Sequence, residues 1–241
     1  ELVIESGAYL WREKVFVNAP SQWENNNYPS ACGSYVGRLI LAGAAEEETV
    51  TGDPLAQSAE TVWGTEVGLW NNFSVLSTDI NPDDSIEFTA TYRSPIRWVY
   101  GHRQLMIGSL EFEYAASGDG IFGPSDLGVT LQSTHGGKNV QPAAFGSSVL
   151  FASDNGTKVR SLSYSEEEDG WTSLDLTIYN PEICYPEVVR VVRCRNPYQM
   201  CIVLKTDGQI SFFHSESGVE GWSRYNISDA VIKDICVIAD R

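Results

Sequence analysis

The chain has 241 residues, 42% hydrophobic and 20% charged, a balance that implies a folded core and excludes a disordered chain. Sixteen Lys and Arg against 32 Asp and Glu give a formal charge of −16, which speaks against gripping nucleic-acid phosphates or an anionic membrane. No apolar run reaches the roughly 20 residues that span a bilayer, and neither a signal peptide nor a membrane anchor is visible. The chain opens on Glu1 without an initiator Met and is expected to be a fragment or a processed product.

Seven Trp, eleven Tyr and nine Phe, together with 21 Gly, suit short strands joined by tight turns. In chain order, Leu2 to Ile4 and Tyr9 to Val17 read as strands, and Val36 to Ala42 as another. Residues 44–61 are polar and acidic and read as a loop insertion. The strand pattern resumes at Thr61 to Trp63. Ile86 to Tyr92 then carries Ile, Phe, Ala and Tyr at every second position, the period of a half-buried strand. Further strands are expected over Ile96 to Tyr100, Leu105 to Ile107, Glu111 to Tyr114 and Val129 to Ser133, with a loop over 117–128 that holds five Gly and Pro residues.

The clearest feature is an internal repeat. Val149-Leu150-Phe151 leads through Asn155-Gly156 to Val159–Tyr164, an acidic stretch and Gly170-Trp171. Cys201-Ile202-Val203 leads through Asp207-Gly208 to Ile210–His214, an acidic stretch and Gly221-Trp222. A weaker copy begins at Leu105-Met106-Ile107. Asn-Gly and Asp-Gly suit a two-residue hairpin whose central positions both need positive φ. A repeat near 50 residues built on strand–turn–strand units is the sign of propeller blades, each too thin to bury both faces alone. The expected fold is therefore all-β: one β-propeller-like domain over 1–241 with about five blades, the Trp after each Gly plugging the space between adjacent sheets. Ile232 to Ile238 reads as the first strand of a further unit. The propeller is either incomplete or closed by an N-terminal strand.

Chemistry is sparse in the sequence. Five cysteines, at 32, 184, 194, 201 and 236, form no CxxC pair, and the odd, scattered set reads as buried or free thiols in a reducing compartment. His102, His135 and His214 show no metal-ligand spacing and no nucleophile motif around them. His214 corresponds by position to Tyr164 in the other copy. The acidic pairs, Asp83-Asp84 and Glu166 to Asp169, read as solvated turns. Ser153 to Thr157 differs in spacing from a sialidase Asp-box and lacks its Trp, and Gly136-Gly137-Lys138 is too short for a phosphate loop. No cofactor and no catalytic residue is expected.

Several phrases, in order, resemble the tail nozzle, or tail-stabilisation, proteins of short-tailed bacteriophages. They are Tyr28-Pro29-Ser30, Gly37 to Gly43 with Arg38, Val62-Trp63-Gly64-Thr65 leading to Asn72-Phe73-Ser74, Asp83 to Phe88 with Asp84, and Ile96-Arg97-Trp98. Leu105 to Ser109, Phe112-Glu113-Tyr114, Gly123-Pro124, Gln141-Pro142, Val149 to Phe151, and Lys205 to Gly208 preceding Gly221-Trp222 complete the series, which covers residues 28–227. Members of that family are often longer, so this chain resembles a trimmed or compact version.

The resemblance implies a virion protein of the tail, assembled in the host cytoplasm as a homo-oligomeric ring of six beneath the portal and its adaptor. Such a ring forms part of the conduit for genome ejection, lets DNA pass without specific binding, and offers docking surfaces to tail spike or plug proteins. Within the phrases, Arg38 and Asp84 are expected as turn or inter-blade anchors, and Trp63 and Phe73 as core. Gly43, Gly64, Gly208 and Trp222 complete the structural set. The alternative is a carbohydrate-binding or glycoside-degrading propeller acting on a bacterial surface polymer, which needs aromatic residues beside carboxylates in a pocket.

Overall fold

A computed structural model describes residues 2–5, 8–11, 16–23, 28–44, 59–74, 79–118, 122–196, 198–216, 219–226 and 230–238. The described chain is all-β apart from short turns such as the 3-10 turn at Ser21–Trp23. A two-stranded ladder, β1 (Leu2–Glu5) with β2 (Ala8–Trp11), precedes four antiparallel sheets of four strands each. The first sheet runs β3 (Ala31–Tyr35), β4 (Arg38–Ala42), β5 (Thr61–Gly64) and β6 (Ile86–Thr89). The second runs β7 (Ile96–Gly101), β8 (Leu105–Ser109), β9 (Glu113–Gly118) and β10 (Leu127–Ser133). The third runs β11 (Ala143–Phe145), β12 (Ser148–Ala152), β13 (Val159–Ser165) and β14 (Gly170–Asp175). The fourth runs β15 (Val188–Cys194), β16 (Met200–Lys205), β17 (Ile210–Glu216) and β18 (Val219–Tyr225). Each sheet is a meander of four consecutive strands, the unit of which propeller blades are made. Four such sheets are described, where the sequence suggests about five units.

The second strand of each sheet shows why the array holds together. On β8, Leu105 and Ile107 join Ile40, Val62 and Val99 in the core between the first two sheets. Met106, between them in sequence, joins Trp98, Phe151, Leu162 and Trp171 between the second and third. On β12, Val149 and Phe151 face the second sheet, while Leu150 and Ala152 join Val188, Cys201 and Val203 toward the fourth. Alternating side chains therefore serve opposite cores, as the two-residue period of a strand requires. Each fully buried Leu, Ile or Val contributes about 1.5–3 kcal/mol by leaving water. A sheet buried on both faces depends on both neighbours. The outer face of the first sheet is closed differently, by Trp23, Trp63 and Phe73 with Leu41 packed against them.

The repeat lies where the sequence suggests, as β12–β14 and β16–β18. Register pairs Tyr164 with Trp171 and Phe213 with Trp222. Tyr164 is therefore matched by Phe213 in the other copy, not by His214. Trp171 is buried between the second and third sheets, and Trp222 packs against the core between the third and fourth.

Several expectations need correction. Residues 230–238 carry no strand: apart from the Ile232 N–H donating to the Gly208 carbonyl at 3.2 Å, they form no ladder among the described residues. The Asn155-Gly156 and Asp207-Gly208 turns are not two-residue hairpins with two positive φ angles. Only the glycines are positive, at 69° and 74°, because Asn155 and Asp207 instead accept main-chain N–H bonds two residues on through their side chains. The two-positive-φ hairpin falls at Val36 (45°) and Gly37 (72°), between β3 and β4. Strand β9 extends into the loop expected over 117–128, ending at Gly118, and β10 already begins at Leu127. The expected strand at 86–92 stops at Thr89. Residues 45–58 of the expected insertion, and 12–15 of the strand expected over 9–17, lie outside the described residues. Among the described residues no helix is long and apolar enough to cross a membrane.

Candidate functional site

The residues singled out by sequence gather first around Arg38. This side chain is fully buried at the start of β4, pointing to the ends of β5 and β6. Its Nη1 donates to the carbonyls of Thr65 (2.7 Å), Asp84 (2.6 Å) and Asp83 (3.2 Å), and its Nη2 to that of Pro82 (2.6 Å). A longer bond from Nη2 reaches Phe122 O at 3.4 Å, in the loop between β9 and β10 of the second sheet. Arg38 thus ties its own sheet together and touches the next. Burial lowers its pKa, while the charges of Asp83, Asp84 and Glu66 oppose the fall; a guanidinium stays protonated regardless. Asp84 serves the same knot through its main chain, and its carboxylate accepts the Asn81 N–H at 2.8 Å.

The other positions singled out by sequence lie in strands, turns and core. Trp63 and Phe73 are buried, Trp23 lying edge-on to both rings, 5.5 and 4.9 Å away. Gly64 sits opposite Ile40 and Ile86, and an added Cβ would stand 2.6 Å from the Ile86 side chain. Gly43 ends β4 at φ +70°, where a Cβ would fall 2.7 Å from the Ile96 carbonyl of the second sheet. Gly208 packs its turn against Val231 and Ile232. The Trp222 indole donates to Leu176 O at 2.8 Å, across from the fourth sheet to the third.

The histidines do not come together. His102 meets the edge of Trp171, His214 stacks on Phe212, and the main-chain N–H of His135 donates to Glu113 at 3.2 Å. Glu166, Glu167, Glu168 and Asp169 are exposed on the β13–β14 turn, where Asp169 accepts from the Tyr164 hydroxyl. Among the described residues no cluster of three or more His, Cys, Asp or Glu side chains could hold a metal ion.

Two polar features escaped the sequence reading. One is Glu113 on β9, fully buried and accepting from Ser133 Oγ and from the His135 main chain. Burial raises its pKa, the hydrogen bonds and the charge of Arg160 opposing, and its Oε1 has no hydrogen-bond partner among the described residues. The other is a cleft of about 670 Å³ at one end of the fourth sheet, between the β14–β15 loop and the ends of β16 and β18. Lys205, Asp207, Glu182, Arg224 and Tyr185 line it. A lysine ending a run of apolar strand residues, Cys201 to Leu204, was the one available signal for its burial.

No family model matches this chain, and no curated protein does. Among solved structures, it is similar to the β-propeller domain of Cps50 (Swd1) from Myceliophteria thermophila, with a TM-score of 0.48 and 10% identity. That match covers 82% of this chain, and the chain spans 58% of the length of the Cps50 domain.

Proposed function

We propose that this chain is a structural subunit of a short-tailed bacteriophage tail, with a β-propeller-like body, assembled as a homo-oligomeric ring. In that role it forms part of the nozzle through which the genome leaves, and serves as a docking platform for neighbouring tail proteins. The observation that carries the reading is the ordered series of family-like phrases from Tyr28 to Trp222. Arg38, Asp84, Trp63 and Phe73 lie within those phrases; Trp63 and Phe73 are buried, and Arg38 donates to the Asp84 carbonyl. The charge of −16 is compatible with a passage that repels DNA and lets it slide.

Light scattering on the purified chain, alone and after mixing with portal, adaptor and spike proteins, tests the assembly. A ring of six copies is expected, formed alone or on its partners. A monomer under both conditions contradicts the proposal. The electrostatic part has its own test: a lumen lined by Lys and Arg in the assembled ring overturns the repulsion idea.

A further inference from the structure

The cleft on the fourth sheet brings two cations, Lys205 and Arg224, together in a strongly acidic protein. Lys205 ends β16 with its side chain 2% exposed, and among the described residues its closest carboxylate oxygen is Asp207 Oδ2, at 4.0 Å. That distance is too long for a hydrogen bond. An ammonium on a side chain this buried loses hydration, which disfavours its charged form. Burial accordingly pushes the Lys205 value down, Asp207 opposing and the nearby Arg224 adding to the fall. Arg224, on β18, lines the same cleft, and its Nη2 donates to the Glu182 carbonyl at 2.9 Å. Glu182 and Asp207 add two carboxylates to the lining, and like Arg224 they belong to exposed residues. Tyr185 is 67% exposed beside Pro186, an apolar platform standing next to the cations.

We propose that this cleft binds a sugar acid, with its carboxylate between Lys205 and Arg224 and its ring against Tyr185. A carboxylate offers the Lys205 ammonium an acceptor of opposite charge and matches the planar fork of a guanidinium. The volume is that of a small-molecule site, large enough for a monosaccharide and a second ring. Glu182 and Asp207 disfavour a highly charged polyanion, and a single carboxylate suits the two cations.

The test is calorimetric titration of the full chain with glucuronate, and separately with glucose and with inorganic phosphate. It needs no ring, so its outcome is independent of the tail assignment. Saturable glucuronate binding is expected, with glucose and phosphate at least roughly 10-fold weaker. Lys205→Met and Arg224→Met are each expected to weaken glucuronate by roughly 10-fold or more. Arg224 is exposed, so its variant folds even where Lys205→Met does not, and it carries the test alone. Absence of glucuronate binding at about 10 mM, equal binding of glucose or phosphate, or an unchanged Arg224→Met affinity overturns the proposal.

Discussion

The Arg38 guanidinium donates to the main-chain carbonyl of Asp84 at 2.6 Å, while the Asp84 carboxylate points away to the Asn81 N–H. The pair is therefore not an ion pair in the usual sense. Arg38→Met removes the donor shared by the buried Thr65 carbonyl and the part-buried carbonyls of Pro82, Asp83 and Asp84, and is expected to cost about 3 kcal/mol in urea unfolding. Asp84→Asn keeps both the carbonyl and an oxygen for Asn81, and is expected to stay within about 1 kcal/mol of the parent. Equal losses from the two substitutions contradict this assignment.

Trp98 supplies a second, purely steric prediction. Its indole lies flat against Gly108 on β8, so that a Cβ there overlaps the ring atoms. The backbone and the buried indole must both shift in Gly108→Ala, with an expected loss of about 3 kcal/mol. Gly221→Ala is the control: a Cβ at Gly221 meets nothing within 4 Å, and the expected change is within about 0.5 kcal/mol. Thermal melts of the two variants side by side make the comparison.

Glu113 gives the stability a pH dependence of known sign. Its folded-state value is raised, chiefly by burial, above the ordinary 4.5. The folded protein therefore holds this proton more tightly than the unfolded chain does. The contribution is fully present below the ordinary value and is lost as pH climbs through the folded-state value. Glu113→Gln removes the titration while keeping an oxygen for Ser133 or His135. Relative to the variant, the parent is expected to lose stability as pH rises from the ordinary 4.5 through the raised folded-state value, measured as urea midpoints. Parallel curves for the two proteins contradict the claim.

The thiols should divide into two classes. Burial pushes Cys184 and Cys201 up to about 12, whereas Cys32 and Cys236 are exposed. A thiol reacts through its thiolate, so reactivity follows both exposure and this shift. With an aromatic disulfide reagent, Cys32 and Cys236 are expected to react in the native protein, and Cys184 and Cys201 only after denaturation. Modification of Cys201 in the native state, found by peptide mapping, contradicts the packing described.

Much of the fold was readable because alternation survives where both faces are buried. Leu105-Met106-Ile107 and Val149-Leu150-Phe151 are runs without polar interruption, and each side chain has a sheet to face. β15 was missed for a physical reason: Val188-Val189-Arg190-Val191-Val192-Arg193 repeats every three residues, not every two. A register shift between Val188 and Arg190 breaks the simple alternation and lets Val188 and Val191 both face the core. The segment 232–238 misled in the opposite way, since its apolar content suggests a strand but it has no ladder partner among the described residues. Nothing in the sequence marked Arg38 as fully buried. The cleft was invisible because Glu182, Tyr185, Lys205 and Arg224 come from separate segments that only the folded sheet brings to one end. The burial of Glu113 was hidden for a similar reason, since its partners Ser133 and His135 lie beyond a loop.

Cryo-electron microscopy of an intact phage tail containing this chain tests the central claim most directly. The account expects density for six copies of the four-sheet body around the axis, below the portal and its adaptor, with acidic side chains toward the passage. A tail whose axial ring is built from another polypeptide, with this chain absent from the particle, contradicts it.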